Sequence, residues 1–298
     1  MMQKKRTIIR ACVGLFLIIC LLSSAGCMAG RRGMHIGQIR NHACPRADTL
    51  LQAMPAFRAK EMGAVKIYST AQVQEWLRFG SRSATYPNDR KIVFITIDDG
   101  PHSQHGMKMI ETLKAHNIAA TFFYIGGYVA GREAQVKLAL ENGNSVGLHS
   151  DSHNYRYLYP GRSGNADNII QDLKNLLQRY QWALGQAPEF TAYRYPGGHM
   201  SWKNLSEADS RLGSMGLAWL DWNVSTGDSV REDILTVEMI MNNVRATTER
   251  ISDKNVVVLL MHETEAATAE ALPEIIRYYQ DQGYEFGILD SPKGIRTQ

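Results

Sequence analysis

Residues 92–97 read Ile-Val-Phe-Ile-Thr-Ile, an almost wholly apolar run, and Asp98, Asp99, Gly100 and Pro101 follow at once. Strand-forming side chains with so little alternation predict a strand buried on both faces, the pattern of a parallel sheet. Parallel strands need crossover connections, so the run directs the chain towards α/β architectures. Two carboxylates where such a strand emerges are costly unless a metal, a cation or a proton compensates them. C-terminal strand ends are also where α/β folds place their ligands. Asp-Asp-Gly-Pro is equally good turn chemistry. Taken alone, the four residues leave a surface turn and a site both open.

The rest of the chain repeats the strand-and-helix alternation. Strand-like runs occupy 92–97, 120–125, 145–149, 190–195, 217–224 and 256–261, with a last one at 285–289. Helix-like stretches lie between them at 106–116, 132–142, 165–184, 234–250 and 266–282. Repeated β-α units predict a parallel sheet with right-handed crossovers, either doubly wound or closed into a barrel. Seven or so units in about 200 residues favour a small, distorted and incomplete (β/α) barrel. We expect this domain to span residues 89–292. Residues 28–88 read as a tether or spacer, with helical spacing at 47–62 and 70–79.

The leader is distinctive. Lys4, Lys5, Arg6 and Arg10 precede an uncharged apolar stretch at 11–22, which gives way to Ser23-Ser24-Ala25-Gly26-Cys27. That order is expected of a secretory signal at residues 1–27, kept as a membrane anchor, cleaved, or lipidated at Cys27. Each outcome places the domain outside the cytoplasmic membrane. The formal charge of +4 over 298 residues comes from this end. Residues 1–44 hold seven Lys or Arg and no acid, which leaves 26 basic and 29 acidic residues beyond them. A mildly acidic domain argues against a nucleic-acid partner. Cys12, Cys20, Cys27 and Cys44 lie in or just after the leader. That excludes a disulfide scaffold and a cysteine nucleophile from the domain.

Three further strand ends carry polar groups that an α/β fold would bring to the same rim. His149 and His153 stand at i and i+4 directly after the third strand, and imidazole is a common ligand for zinc-like metals. One Asp and two imidazoles would make a three-ligand site with open positions, leaving the second Asp free to act as a base. Arg194 opens Tyr195-Pro196-Gly197-Gly198, where it could hold a buried carboxylate ionised and the turn could present backbone N–H groups. Residues 256–261 end in His262 and Glu263, and a histidine there could serve as general acid. Surface or structural readings of each of these groups stand beside the functional ones.

With these residues in view, the chain resembles the polysaccharide deacetylase family, the NodB-homology domain or carbohydrate esterase family 4, over roughly residues 90–290. Thr96-Ile97-Asp98-Asp99-Gly100 is similar to the family's first motif, which implies Asp98 as catalytic base and Asp99 as a metal ligand. His149-Ser150-Asp151-Ser152-His153 resembles the second, and implies that both histidines complete the metal triad. Arg194-Tyr195-Pro196-Gly197-Gly198 resembles the third, in which the Arg orients the base and the turn borders the acetyl pocket. Leu260-Met261-His262 resembles the fifth, implying Leu260 in the pocket and His262 as acid.

The fourth motif departs from the family pattern. With Trp222-Asn223-Val224 matched to its start, Ser225 replaces the first Asp, Asp228 keeps the second, and Ser229 replaces a Trp. Either Asp228 or Asp221 is then the carboxylate that tunes Arg194 or His262. The His-Asp pair common after the fifth motif is His262-Glu263 here.

The resemblance implies a metal-dependent hydrolase that removes N-acetyl groups from an extracellular N-acetylglucosamine polymer. Zinc is the first expectation, and cobalt, nickel or iron suit the same ligands. Peptidoglycan is the nearest substrate to an exported, membrane-attached or lipidated domain. Exopolysaccharide or chitin oligomers are the alternative. A non-catalytic glycan-binding protein on a decayed deacetylase fold is the contrasting class, and the altered fourth motif is its one support.

Overall fold

The computed structural model describes residues 65–290, apart from 103, 186–187 and 230–233. The leader and the helical spacing at 47–62 lie outside the described residues. Among those described, no helix is long and apolar enough to cross a membrane. The elements in chain order are β1 (Lys66–Tyr68), α1 (Thr70–Phe79), β2 (Lys91–Gly100), α2 (His105–Ala115), β3 (Thr121–Tyr124) and the single turn α3 (Gly126–Val129). Then come α4 (Glu133–Glu141), β4 (Ser145–Leu148), the short α5 (Tyr155–Leu158), α6 (Ala166–Leu184), β5 (Ala192–Tyr193) and α7 (Ser206–Ser214). The chain closes with β6 (Ala218–Trp219), β7 (Val224–Ser225), α8 (Val237–Arg250), β8 (Val256–His262), α9 (Ala266–Asp281) and β9 (Tyr284–Leu289).

Every ladder is parallel, as the unalternating strands require. The sheet runs β1-β9-β2-β3-β4-β5-β6, and β8 lies along β2 with β7 on its far side. No ladder joins β6 to β7 among the described residues, so this parallel (β/α) barrel is incomplete.

Strand β2 is the axis of the fold. It pairs with β8 from Ile92 to Asp98, with β9 at its start and with β3 at its end. Its side chains alternate between two cores. Val93, Ile95 and Ile97 join the large outer core under the helices, while Ile92 and Phe94 join the smaller inner one. The inner core also takes Val256 and Val258 of β8 and Val73 and Trp76 of α1. By the same alternation Thr96 and Asp98 continue the inward face towards the strand's C-terminal end.

Three differences from the sequence expectation have physical causes. The sheet begins before residue 89: β1 pairs with β9, Lys66 opposite Gly287, and α1 packs on the inner core. Residues from Lys66 therefore belong to the domain, and a three-residue strand is too short to show a period. The run at 217–224 is two strands rather than one. Between them the Leu220 and Asp221 carbonyls accept from the Arg194 guanidinium, Nε at 2.9 Å and Nη2 at 3.5 Å, in place of a neighbouring strand. Helix α7 carries only Ala208 and Leu212 as buried residues, too few to mark a helical stripe.

Candidate active site

In a regular strand Asp98 and Asp99 would point to opposite faces. A β-bulge brings them to one site. The β2–β3 register jumps from Asp98–Phe123 to Gly100–Tyr124, leaving Asp99 unpaired with a left-handed φ of 68°. Aspartate tolerates that region, and the extra residue re-aims its side chain. The second-motif loop is shaped likewise, with positive φ at Ser150 and His153. It is held from α6. The Asp172 carboxylate accepts from the backbone N–H groups of Asp151 (2.6 Å) and Ser152 (3.1 Å), and Asp151 pairs with Arg179.

The result is a tight constellation. Asp99 Oδ1 lies 3.3 Å from His149 Nε2 and 3.4 Å from His153 Nε2. These three atoms lie within 4.8 Å of one another, and Asp99 Oδ1 is buried without a hydrogen-bond partner. His149 Nδ1 is 2.9 Å from the Arg194 carbonyl oxygen, which fixes the ring as an Nδ1–H donor and leaves Nε2 free to ligate. Burial and the nearby His149 push His153 down to about 4, so its ring is neutral at neutral pH. Burial would raise the Asp99 carboxyl, but the surrounding imidazoles hold it well below the usual range. One carboxylate oxygen and two imidazole nitrogens, converging and otherwise unsatisfied, fit a zinc-like divalent metal.

Asp98 faces inward beside this cluster. Its Oδ1 accepts from Arg194 Nη1 at 2.8 Å, and the same Nη1 reaches Thr96 Oγ1 at 2.8 Å. Arg194 is fully buried, with its guanidinium 4.2 Å from the Phe123 ring centre. A buried cation with an anionic partner and satisfied N–H groups can persist in that setting.

His262 stands opposite Asp98 in the β2–β8 register. Its Nδ1 is 2.7 Å from Asp228 Oδ1, and the backbone N–H of His262 and the Thr268 hydroxyl donate to Asp228 Oδ2. Burial would lower the imidazole, but Asp228 raises it to about 9, so the ring is protonated at neutral pH. Of the two candidate carboxylates, Asp228 is the one that meets His262. Asp221 instead accepts from the backbone N–H groups of His199 and Met200, and only its main-chain carbonyl meets Arg194.

Not every expected pocket residue points into the site. The Tyr195 phenol is buried and donates to Asp209 Oδ1 at 2.8 Å, away from the ligand cluster. The Pro196 carbonyl accepts from Trp202 Nε1. Gly197 (φ 76°) has a free N–H among the described residues and faces Tyr155 and Trp202. Leu260 is buried on β8 opposite Thr96 and joins neither hydrophobic core. Tyr155, whose ring centre is 5.2 Å from that of His153, adds an exposed aromatic wall that the sequence reading did not include. Asp172 was also missed, although an acid inside the apolar stripe of α6 marks it.

Comparison with known proteins places the family of this fold. The polysaccharide deacetylase family profile matches residues 85–214. A peptidoglycan-N-acetylglucosamine deacetylase of Bacillus cereus is 30% identical over 212 residues, covering 67% of this chain and 87% of that protein. A second B. cereus protein with that description is 29% identical over 198 residues, 66% of this chain and 69% of the other. The solved structure of a Streptococcus mutans CE4 esterase is 33% identical and superposes with a TM-score of 0.69, covering 76% of this chain and 92% of that one. The chain belongs to the polysaccharide deacetylase family, a family of hydrolytic deacetylases.

Proposed function

We propose that this protein hydrolyses N-acetyl groups on an extracellular N-acetylglucosamine polymer, peptidoglycan foremost, and releases acetate. The observation that carries the reading is the register of β2 and β8. It sets Asp98 opposite His262, one carboxylate beside a cation and one protonated imidazole, with the Asp99–His149–His153 cluster beside them. Amide hydrolysis needs a base for water, a stabilised oxyanion and an acid for the departing amine.

Asp98, held by Arg194, takes the proton from the attacking water. The free N–H at Gly197 is available to the developing oxyanion. His262 gives its proton to the leaving nitrogen, and Asp228 stabilises the charged ring beforehand. A divalent metal held by Asp99, His149 and His153, zinc first by ligand type, supplies Lewis acidity at this rim. The basic, apolar and small-residue order of the leader supports export and attachment at the outer face of the cytoplasmic membrane. Peptidoglycan is the N-acetylated polymer within reach there, and the relatives' descriptions name it. The Asp228–His262 pair supports the catalytic reading over a decayed, non-catalytic fold.

The test is acetate release by the intact chain, loaded with Zn²⁺ or Co²⁺, from peptidoglycan and from chitooligosaccharides. Release from peptidoglycan is expected. No release from either substrate by metal-loaded protein overturns the reading.

A further inference from the structure

Glu263 follows the acid directly, and the chemistry above gives it no part. Its side chain is fully buried, and it forms no ion pair among the described residues. Oε1 accepts from the His102 backbone N–H and from Gln135 Nε2 at 3.0 Å, while Oε2 has no partner. Tyr124 Oη, Gln135 Oε1 and Tyr180 Oη, on β3, α4 and α6, are likewise buried without partners, and burial raises both phenols. Room for the carboxyl depends on two glycines. A Cβ at Gly100, beside Asp99, or at Gly106, in the first turn of α2, would collide with it.

This geometry ties the two halves of the site together. The Glu263 backbone N–H donates to the Asp98 carbonyl at 3.2 Å, and its side chain reaches His102 on the far side of the same turn. A buried carboxylate with no ion-pair partner is unstable, whereas a buried carboxylic acid gains a donor at Oε2 and loses its charge.

We propose that Glu263 stands in the folded protein as a neutral carboxylic acid, a positioning residue that locks the Asp98–Asp99 turn to the strand carrying His262. Aspartate at this position would be one methylene too short to reach the His102 N–H and Gln135 together. The charged or titratable groups that face the carboxyl are Asp99 on the turn, Arg132 before α4, Tyr124 and Tyr180, and His102 meets it only through its backbone N–H. Burial is the largest influence and, with Asp99, pushes the group up to about 8 against the lowering effects of His102, Gln135 and Arg132. The folded state thus keeps a proton that the unfolded chain releases near 4.5. Stability from this group falls as pH rises through that window and levels off above about 8.

The positioning role rests on Asp98 and His262 being base and acid, so the experiment has an arm independent of activity. In the intact chain, the pH-difference infrared spectrum should show a protonated carboxyl at pH 6 that is lost above about pH 8, and Glu263→Gln should abolish that feature. The melting temperature of Glu263→Gln relative to wild type should rise between pH 6 and pH 9. In acetate release at pH 7, Glu263→Gln keeps near-wild-type turnover, whereas Glu263→Asp loses about 100-fold in kcat with KM unchanged, the scale of a 1 Å misplacement. An ionised Glu263 at pH 6, or Glu263→Gln as damaging as Glu263→Ala, overturns the proposal. A chain without activity on any glycan but with the infrared and melting signatures leaves the neutral acid standing and removes only the assigned reaction.

Discussion

The two halves of β2 and β8 are made of neighbouring residues in the same hydrogen-bonded ladders, yet they do opposite work. At the N-terminal half the inward face is Ile92, Phe94, Val256 and Val258, sealed by Trp76 and Val73 of α1. At the C-terminal half it is Thr96 and Asp98 beside Leu260 and His262, with Arg194 between them. The first half is held together by dispersion and water exclusion, and tolerates swaps that keep volume. The second is a chain of charges and donors, each costly to leave unpaired. A single strand thus carries an apolar segment and a polar segment that lines the proposed site, and the change-over falls at Thr96.

That contrast can be broken by substitution. The largest effect is expected from Asp98→Asn, which should lower turnover by about 10³-fold, in the range for loss of a general base, while metal content by atomic absorption stays unchanged. Next is Phe94→Ala, which should cost about 3–5 kcal/mol in denaturant unfolding yet leave kcat per folded molecule near wild type. Loss of kcat without loss of stability there would mean that the two halves are not separate.

Asp228→Asn should act through pH. His262 is raised to about 9, so the stability from its pair with Asp228 is full below 6.5 and is lost as pH rises through about 9. In the variant the alkaline limb of kcat should move from about 9 towards 6.5. Smallest is Tyr195→Phe, which removes one hydrogen bond to Asp209 and should cost about 1–2 kcal/mol of stability with KM unchanged. A raised KM would assign the phenol a part in substrate binding.

Legibility in the sequence followed the same division. Asp98, Asp99, His149 and His262 stood out as polar groups at the end of an apolar run, where a strand's own pattern gives no reason for them, and His153 stood out by its place four residues beyond His149. Strands of four or more residues, such as β2, β3 and β8, could be read from composition, whereas β1 and α7 had too few buried positions to register. The partners were harder. Asp228 could not be separated from Asp221, because the pairing depends on a fold contact across 34 residues to His262. The direction of the Tyr195 phenol was not legible for a related reason: a strand end tells which residues reach the rim, and the turn decides which way each side chain faces. The bulge at Asp99 was likewise invisible, since it needs the register of β3.

Arg194 also stands where the barrel lacks a ladder. Its guanidinium occupies the carbonyls of Leu220 and Asp221 at the unjoined stretch between β6 and β7, and its remaining N–H groups serve Asp98 and Thr96. A change at Arg194 therefore removes the contacts to the Leu220 and Asp221 carbonyls and the partner of Asp98 in one event. One side chain thus carries both the local architecture and the setting of Asp98, so a substitution at Arg194 is expected to cost stability and turnover together, whereas one at Asp98 is expected to spare the wall.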